Sequence, residues 1–157
     1  MSEVIQSLWI GQLSPLEQSC MRSFVRQGHE FHLYAYQPLD DVPSRVVLKD
    51  AREIVEDQFK TEDFQNLANF SDFFRYALLA KRGGWWVDLD VYCLRPFEFP
   101  DEYVFSSQLV VERTNDEVNS GVIKANGPVM NWCLEELAKV DTRFCPWSAL
   151  GPKITLE

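Results

Sequence analysis

The chain has 157 residues, 46% hydrophobic and 25% charged, enough for one domain with its own core. A formal net charge of −9 argues against nucleic acid as a partner, because no Lys/Arg cluster offsets it. No stretch approaches the roughly 20 apolar residues that span a bilayer. Residues 1–6 lack the basic-then-apolar pattern of a signal peptide, so a soluble, cytoplasmic protein with no transmembrane segment is expected.

In chain order, residues 4–10 are apolar and β-prone and end at Gly11. Ser14-Pro15-x-Glu17 is a helix start, with Ser as the N-cap, Pro at the first helical position and Glu closing a capping box. That helix runs through Met21, Phe24 and Val25 and stops at Gly28, and residues 31–36 alternate as a second strand before a loop over 37–43. Strand, helix, glycine, strand opens an α/β fold with a central, mainly parallel sheet. Short helices are expected over 51–58 and 62–69. Ser71 then reads as the cap of a helix over 72–82 that ends in Lys81-Arg82 and stops at Gly83-Gly84. Residues 85–92 read as a strand, as do 103–105, 109–111 and 119–125, and a helix over 128–139 follows Asn126-Gly127. With no repeat, low-complexity tract or linker, residues 1–157 form a single domain in this reading. Leu156-Glu157 resembles a cloning scar as readily as a natural end.

Cys20, Cys93, Cys133 and Cys145 form no Cys-x-x-Cys pair, and His29 and His32 lie far from them in sequence, which argues against zinc. Dispersed thiols suit a reducing compartment.

The chemistry concentrates at Asp88-Leu89-Asp90. On a strand these acids point to one side, their Cα atoms about 6.6 Å apart. Two like charges on one face repel, and a hard divalent cation relieves that cost, its shell completed by water and phosphate oxygens. The pair alone is a weak signal and fits two solvated acids at a strand end better than a metal site. Upstream, Asp72 and Arg75 lie three apart on one helix face, and Gly83-Gly84 allow a tight reversal into the acid-bearing segment.

Taken together, Ser71-Asp72-x-x-Arg75-Tyr76-x-x-Leu79-x-x-x-Gly83-Gly84-x-x-x-Asp88-x-Asp90 resembles the Asp-x-Asp sugar-binding region of the family 32-like glycosyltransferases. These include yeast-type initiating mannosyltransferases, capsular-polysaccharide enzymes and, more distantly, the glucosylating domains of large clostridial toxins. The resemblance implies a GT-A-like fold and a Mn²⁺- or Mg²⁺-dependent, retaining transfer from a nucleotide-sugar donor to a hydroxyl acceptor, as in polysaccharide or glycoconjugate synthesis. A UDP-sugar is expected ahead of a GDP-sugar. It further implies that Asp90 is the direct metal ligand and that Asp88 contacts ribose, sugar or the metal's water. Asp72 and Arg75 would hold sugar hydroxyls, Trp9 would stack on the base, and Asn119 would lie near the donor. Tyr36 reads as packing rather than base pocket, and Gly151-Pro152 resembles a Gly-Pro found further along such enzymes. Relatives continue well beyond that Gly-Pro, so the chain is expected to lack a C-terminal part.

Three rival readings stay open. An aspartate phosphohydrolase also carries Asp-x-Asp, but its sequence continues to Thr or Val where this chain has Tyr92. A truncated or non-catalytic nucleotide-sugar-binding domain keeps the acids without turnover. A structural protein with a surface acid cluster would have neither donor binding nor turnover.

Overall fold

The computed structural model describes residues 4–56, 66–109 and 116–144. A sheet of six strands has the order β3-β2-β1-β4-β6-β5, formed by β1 (Ile5–Leu8), β2 (Phe31–Ala35), β3 (Val46–Asp50), β4 (Gly84–Val87), β5 (Val104–Leu109) and β6 (Asp116–Ala125). β1, β2, β3 and β4 are parallel; β6 runs antiparallel to β4, and β5 antiparallel to β6. Helix α1 (Pro15–Arg26) covers one face, and α2 (Leu67–Arg82) and α3 (Gly127–Leu137) cover the other.

The period of two along each strand divides the core. Ile5, Phe31, Leu33, Trp85 and Val87 pack with Met21 and Phe24 of α1. Leu8, Tyr34, Trp86 and Ile123 pack with Phe70, Phe74 and Leu78 of α2 and with Met130 and Cys133 of α3. β1 is therefore buried on both faces, as central parallel strands are.

Local sequence explains most element ends. Ser14 and Glu17 form the expected capping box on α1. The helix expected from Ser71 instead begins a turn earlier: Asn66 is its cap, accepting from the Asn69 amide at 2.9 Å, while the Ser71 hydroxyl turns to Arg75. The helix expected over 51–58 shrinks to a 3₁₀ turn at Ala51–Glu53, capped by Asp50, and much of the one over 62–69 lies outside the described residues. β3 is not announced by the sequence, because its apolar run Val46-Val47-Leu48 is only three residues between Arg45 and Lys49; it forms as an edge strand in register with β2. The separate strands expected at 103–105 and 109–111 are one strand, β5, with residues 110–115 outside the described part, and β6 begins before Asn119.

One correction bears on the chemistry. Asp88 and Asp90 are not strand residues. β4 ends at Val87, and the Asp88 amide donates to Gly121 O at 2.8 Å. The chain then turns, with the Val91 amide donating back to Asp88 O at 3.2 Å. Asp is poorly suited to a strand and well suited to a turn, and only Leu89 between them goes into the core.

Candidate active site at the ends of β1 and β4

From β1 the chain builds outward through β2 to β3, then returns to place β4 on the other side of β1. Such a reversal opens a crevice at the carboxyl ends of the two strands, where open α/β sheets bind ligands. A cavity of about 510 Å³ lies there. Its floor includes Ser7 and Leu8 at the end of β1, Trp86 of β4, and the Asp88-Leu89-Asp90 turn. One wall is α2, with Asp72 and Arg75; another is β6, with Asn119, Ser120 and Gly121. Trp9, Leu16 and Glu17 line the side nearest α1. All six residues singled out from sequence, Trp9, Asp72, Arg75, Asp88, Asp90 and Asn119, therefore line one cavity.

Arg75 is the hub, although it is buried. One terminal nitrogen donates to Ser120 O. The other lies 3.2 Å from Asp72 Oδ1, 3.1 Å from Asp88 Oδ1 and 3.4 Å from Ser71 Oγ. Its guanidinium sits over the Trp86 ring, 5.0 Å from the centroid, in cation–π geometry. Trp86 in turn donates its indole N–H to Asp88 Oδ1 at 2.8 Å. Asp88 is thus held through one carboxylate oxygen. Burial raises the Asp72 pKa above the usual carboxylate value; Arg75 opposes that rise and Asp88 adds to it. Burial also pushes the Cys20 thiol up to about 12, so it remains S–H and lies 3.7 Å from Asp88 O.

An irregularity in β6 supplies the third wall. Phe105 pairs with Ile123 but Ser106 pairs with Asn119, so Ser120, Gly121 and Val122 have no partner on β5. The Ser106 hydroxyl lies 2.9 Å from Asn119 O and 3.2 Å from Val122 O, so its one proton is within reach of either carbonyl. Asn119 Oδ1 accepts from the Gly121 amide at 2.7 Å, and its amide nitrogen donates to Gln108 Oε1 at 2.7 Å. A Cβ on Gly121 would meet Asn119 Oδ1 at 2.7 Å and Asp88 Oδ2 at 3.1 Å, so glycine is what lets the turn approach β6.

Trp86, Gln108, Ser120 and Gly121 were not singled out from sequence. Trp86 follows Trp85, and the two rings point to opposite faces; the alternation was legible but not which face carried the site. Tyr36 is core packing, its hydroxyl donating to Val55 O at 3.2 Å. Gly151-Pro152 lies outside the described residues.

A second cavity of about 510 Å³ lies at the opposite ends of β1 and β4, lined by residues including Gln6, His32, Tyr34, Lys49, Glu53 and Arg82. Volume does not separate the two, but chemistry does. Among the described residues the one carboxylate there, Glu53, is paired with Arg82 at 3.0 Å, whereas the first cavity gathers Glu17, Asp72, Asp88 and Asp90 against Arg75.

Residues 15–110 match the family described as "Glycosyltransferase sugar-binding region containing DXD motif". The chain belongs to that family. Asp88-Leu89-Asp90 is the one Asp-x-Asp within the matched residues. The chain is also similar to an initiation-specific alpha-1,6-mannosyltransferase of Candida albicans, 31% identical over 78 residues. That match covers 50% of the chain and only 19% of the relative. Among solved structures, the PaToxG glycosyltransferase superposes with a TM-score of 0.69 at 15% identity, over 98% of this chain and 67% of that one. This shared fold is the GT-A fold of glycosyltransferases. No helix among the described residues is long and apolar enough to cross a membrane.

Proposed function

We propose that this glycosyltransferase moves a hexose from a nucleoside-diphosphate donor to a hydroxyl acceptor, with a divalent cation and with retention of anomeric configuration. The observation that carries this reading is the convergence of Asp72, Arg75, Asp88, Asp90, Asn119 and Trp9 on one cavity at the topological switch point. The donor set fits Mn²⁺ or Mg²⁺. Acidic groups outnumber Arg75 in the cavity, and all are hard oxygen donors. Among the described residues no three His, Cys, Asp or Glu side chains form a ready-made metal cage. Of the described residues, Asp90 and Asp88 would be the ligands, leaving coordination positions for diphosphate and water. Once bound, the cation would neutralise charge building on the departing diphosphate.

This chain's own residues would do the rest. Arg75 and Asp72 would fix the sugar hydroxyls, and Asn119 would bound the donor from β6. The Trp9 ring would stack on the base; its indole N–H is tied to Gln12 O at 3.0 Å, which sets the ring's orientation. Each other carboxylate in the cavity is engaged, Glu17 by the α1 cap and Asp72 and Asp88 by Arg75. Among the described residues, that leaves no carboxylate of the cavity besides Asp90 without a partner to serve as a covalent nucleophile. It favours attack by the acceptor hydroxyl on the face from which the diphosphate leaves, its proton passing to the leaving phosphate oxygen.

UDP is expected ahead of GDP, though the mannosyltransferase relative makes GDP-mannose the second donor to try beside UDP-glucose. Among the described residues Cys20, Cys93 and Cys133 are buried free thiols, which supports a reducing, cytoplasmic setting, and polysaccharide or glycoconjugate synthesis is the proposed context.

The test is calorimetric titration of UDP and GDP with and without Mn²⁺, on the wild type and on Asp90→Ala. One nucleotide should bind only with Mn²⁺, and the substitution should abolish it. Binding that ignores both metal and Asp90 would overturn the metal assignment. Binding without transfer or donor hydrolysis would make the chain a nucleotide-sugar-binding domain, and an inverted product would rule out retention.

A further inference from the structure

Residues 88–103, between β4 and β5, form no helix or strand, yet much of the segment is held tightly. Its backbone groups are met by side chains of α1 and of the turn after it. Cys20 Sγ reaches Asp88 O at 3.7 Å. The Cys93 amide donates to Ser23 Oγ at 2.8 Å. Gln27 Nε2 donates to Leu94 O at 3.1 Å. The Phe97 amide donates to His29 Nε2 at 2.9 Å. Cys20, Ser23 and Gln27 follow helical spacing and so share one face. α1 thus provides the hydrogen bonds that a strand neighbour would otherwise supply.

Ser23 and His29 are buried, as is Cys20, whose thiol contact is the long one of the set at 3.7 Å. The Ser23 hydroxyl spends its one proton on Cys20 O at 2.6 Å, so a lone pair is left for the Cys93 amide. His29 accepts at Nε2, which places the proton of its neutral ring on Nδ1. Phe24 and Phe97 flank the ring at centroid distances of 6.1 and 5.8 Å. Phe97 stacks onward against Trp85 of β4 at 4.8 Å.

We propose that Ser23 and His29 are positioning residues for the Asp88-Leu89-Asp90 turn. The inference rests on the reading of Asp88 and Asp90 as metal ligands. Asp90 is exposed, so its place is set by its flanks. On one side Asp88 is tied to Gly121, Trp86 and Arg75. On the other, Ser23 and then His29 anchor the chain only three and seven residues further on. Outer partners of this kind orient ligands that they do not touch.

His29 adds a readout that plain packing would not. Among the described residues, Glu98 of the same loop is a charged group that acts on the ring, while α1 and the loop present Phe24 and Phe97. Burial lowers the His29 pKa below 6.5, against a raising influence from Glu98. The neutral ring's contribution is therefore full above 6.5 and is lost as pH falls from there through the lower folded value. Protonation at Nε2 would turn the acceptor for Phe97 N–H into a second donor.

The experiment titrates Mn²⁺ and UDP or GDP into wild type, Ser23→Ala, His29→Phe, His29→Gln and Asp90→Ala at pH about 7.5 and about 5.5, either side of the usual His value. Amide exchange over residues 88–97 is followed in parallel. Ser23→Ala and His29→Phe should weaken Mn²⁺-dependent nucleotide binding about tenfold, as loss of outer-shell partners does. His29→Gln, whose amide oxygen can replace Nε2, should bind as wild type at the higher pH and lose less affinity at the lower one. Wild-type binding in Ser23→Ala and His29→Phe, while Asp90→Ala fails, would overturn the clamp and leave the metal site standing. If Asp90→Ala binds normally, the metal reading has failed, and exchange decides the clamp alone: faster exchange at 88–97 in Ser23→Ala supports it and unchanged exchange overturns it. Should His29→Phe not fold, Ser23→Ala gives the same two answers.

Discussion

Arg75 shows why single residues at this site are not interchangeable. A buried cation persists only with partners, and its terminal nitrogens meet Ser120 O, Ser71, Asp72 and Asp88, with the Trp86 face beneath. Trp86 contributes twice, through its ring to Arg75 and its N–H to Asp88. Trp86→Phe separates the two roles, since the ring face stays and the donor goes. It should cost about 1 kcal/mol in unfolding free energy, the worth of one hydrogen bond. It should also weaken Mn²⁺-dependent nucleotide binding about tenfold by loosening Asp88. Chemical denaturation and titration read the two separately; unaltered binding would mean that Arg75 alone aims the carboxylate. At this scale the sequence was legible wherever a charge stood at a motif spacing, as at Asp72, Arg75, Asp88 and Asp90. It was silent on Trp86 and Gly121, whose roles come from an indole N–H aimed at Asp88 and from a missing Cβ.

At the scale of elements, the joint between α2 and β4 aims the acids. Gly83 caps α2 at φ 66° and ψ −170°, a region that only glycine enters freely, and Gly84 follows at φ 90°. A Cβ on Gly83 would meet nothing nearer than Ala125 O at 3.7 Å, so space is not the constraint; backbone conformation is. Gly83→Ala should therefore destabilise by about 1–3 kcal/mol with no clash to relax. A shift in the urea midpoint at constant m-value would record it, and a loss too small to resolve would show that the turn re-forms at no cost. The glycine pair and the helix before it were readable as a stop signal. The start of α2 was not, because Ser71 offered a plausible cap and only the Asn66 side chain, bonded to the Asn69 amide, decides for the earlier turn. Likewise the strand expected over 85–92 ended at Val87, where the chain turns and the Val91 amide bonds back to Asp88 O, leaving Gly121 O of β6 to take the Asp88 amide as the last bond in register. That contact joins residues 33 apart in sequence, beyond what a local pattern can express.

For the whole molecule, the alternation of strand and helix announced an α/β fold, but strand order is a property of long-range pairing. The switch between β1 and β4 that opens the cavity could be placed only with the sheet in view. The same order grades stability across the fold. β1 is bonded to β2 on one side and β4 on the other and is buried throughout. β3 is bonded on one side only and leaves Val47 and Leu48 exposed at 39% and 43%. Local opening follows burial and pairing, so amide exchange should be slowest in β1 and β4 and fastest, among the parallel strands, in β3. Both acids hang from the carboxyl end of β4, so the site would inherit the most stable part of the sheet while its β3 edge frays. Exchange in β3 as slow as in β1 would require that edge to be covered in solution. Fast exchange in β4 would contradict the rigid support that the metal-binding proposal needs.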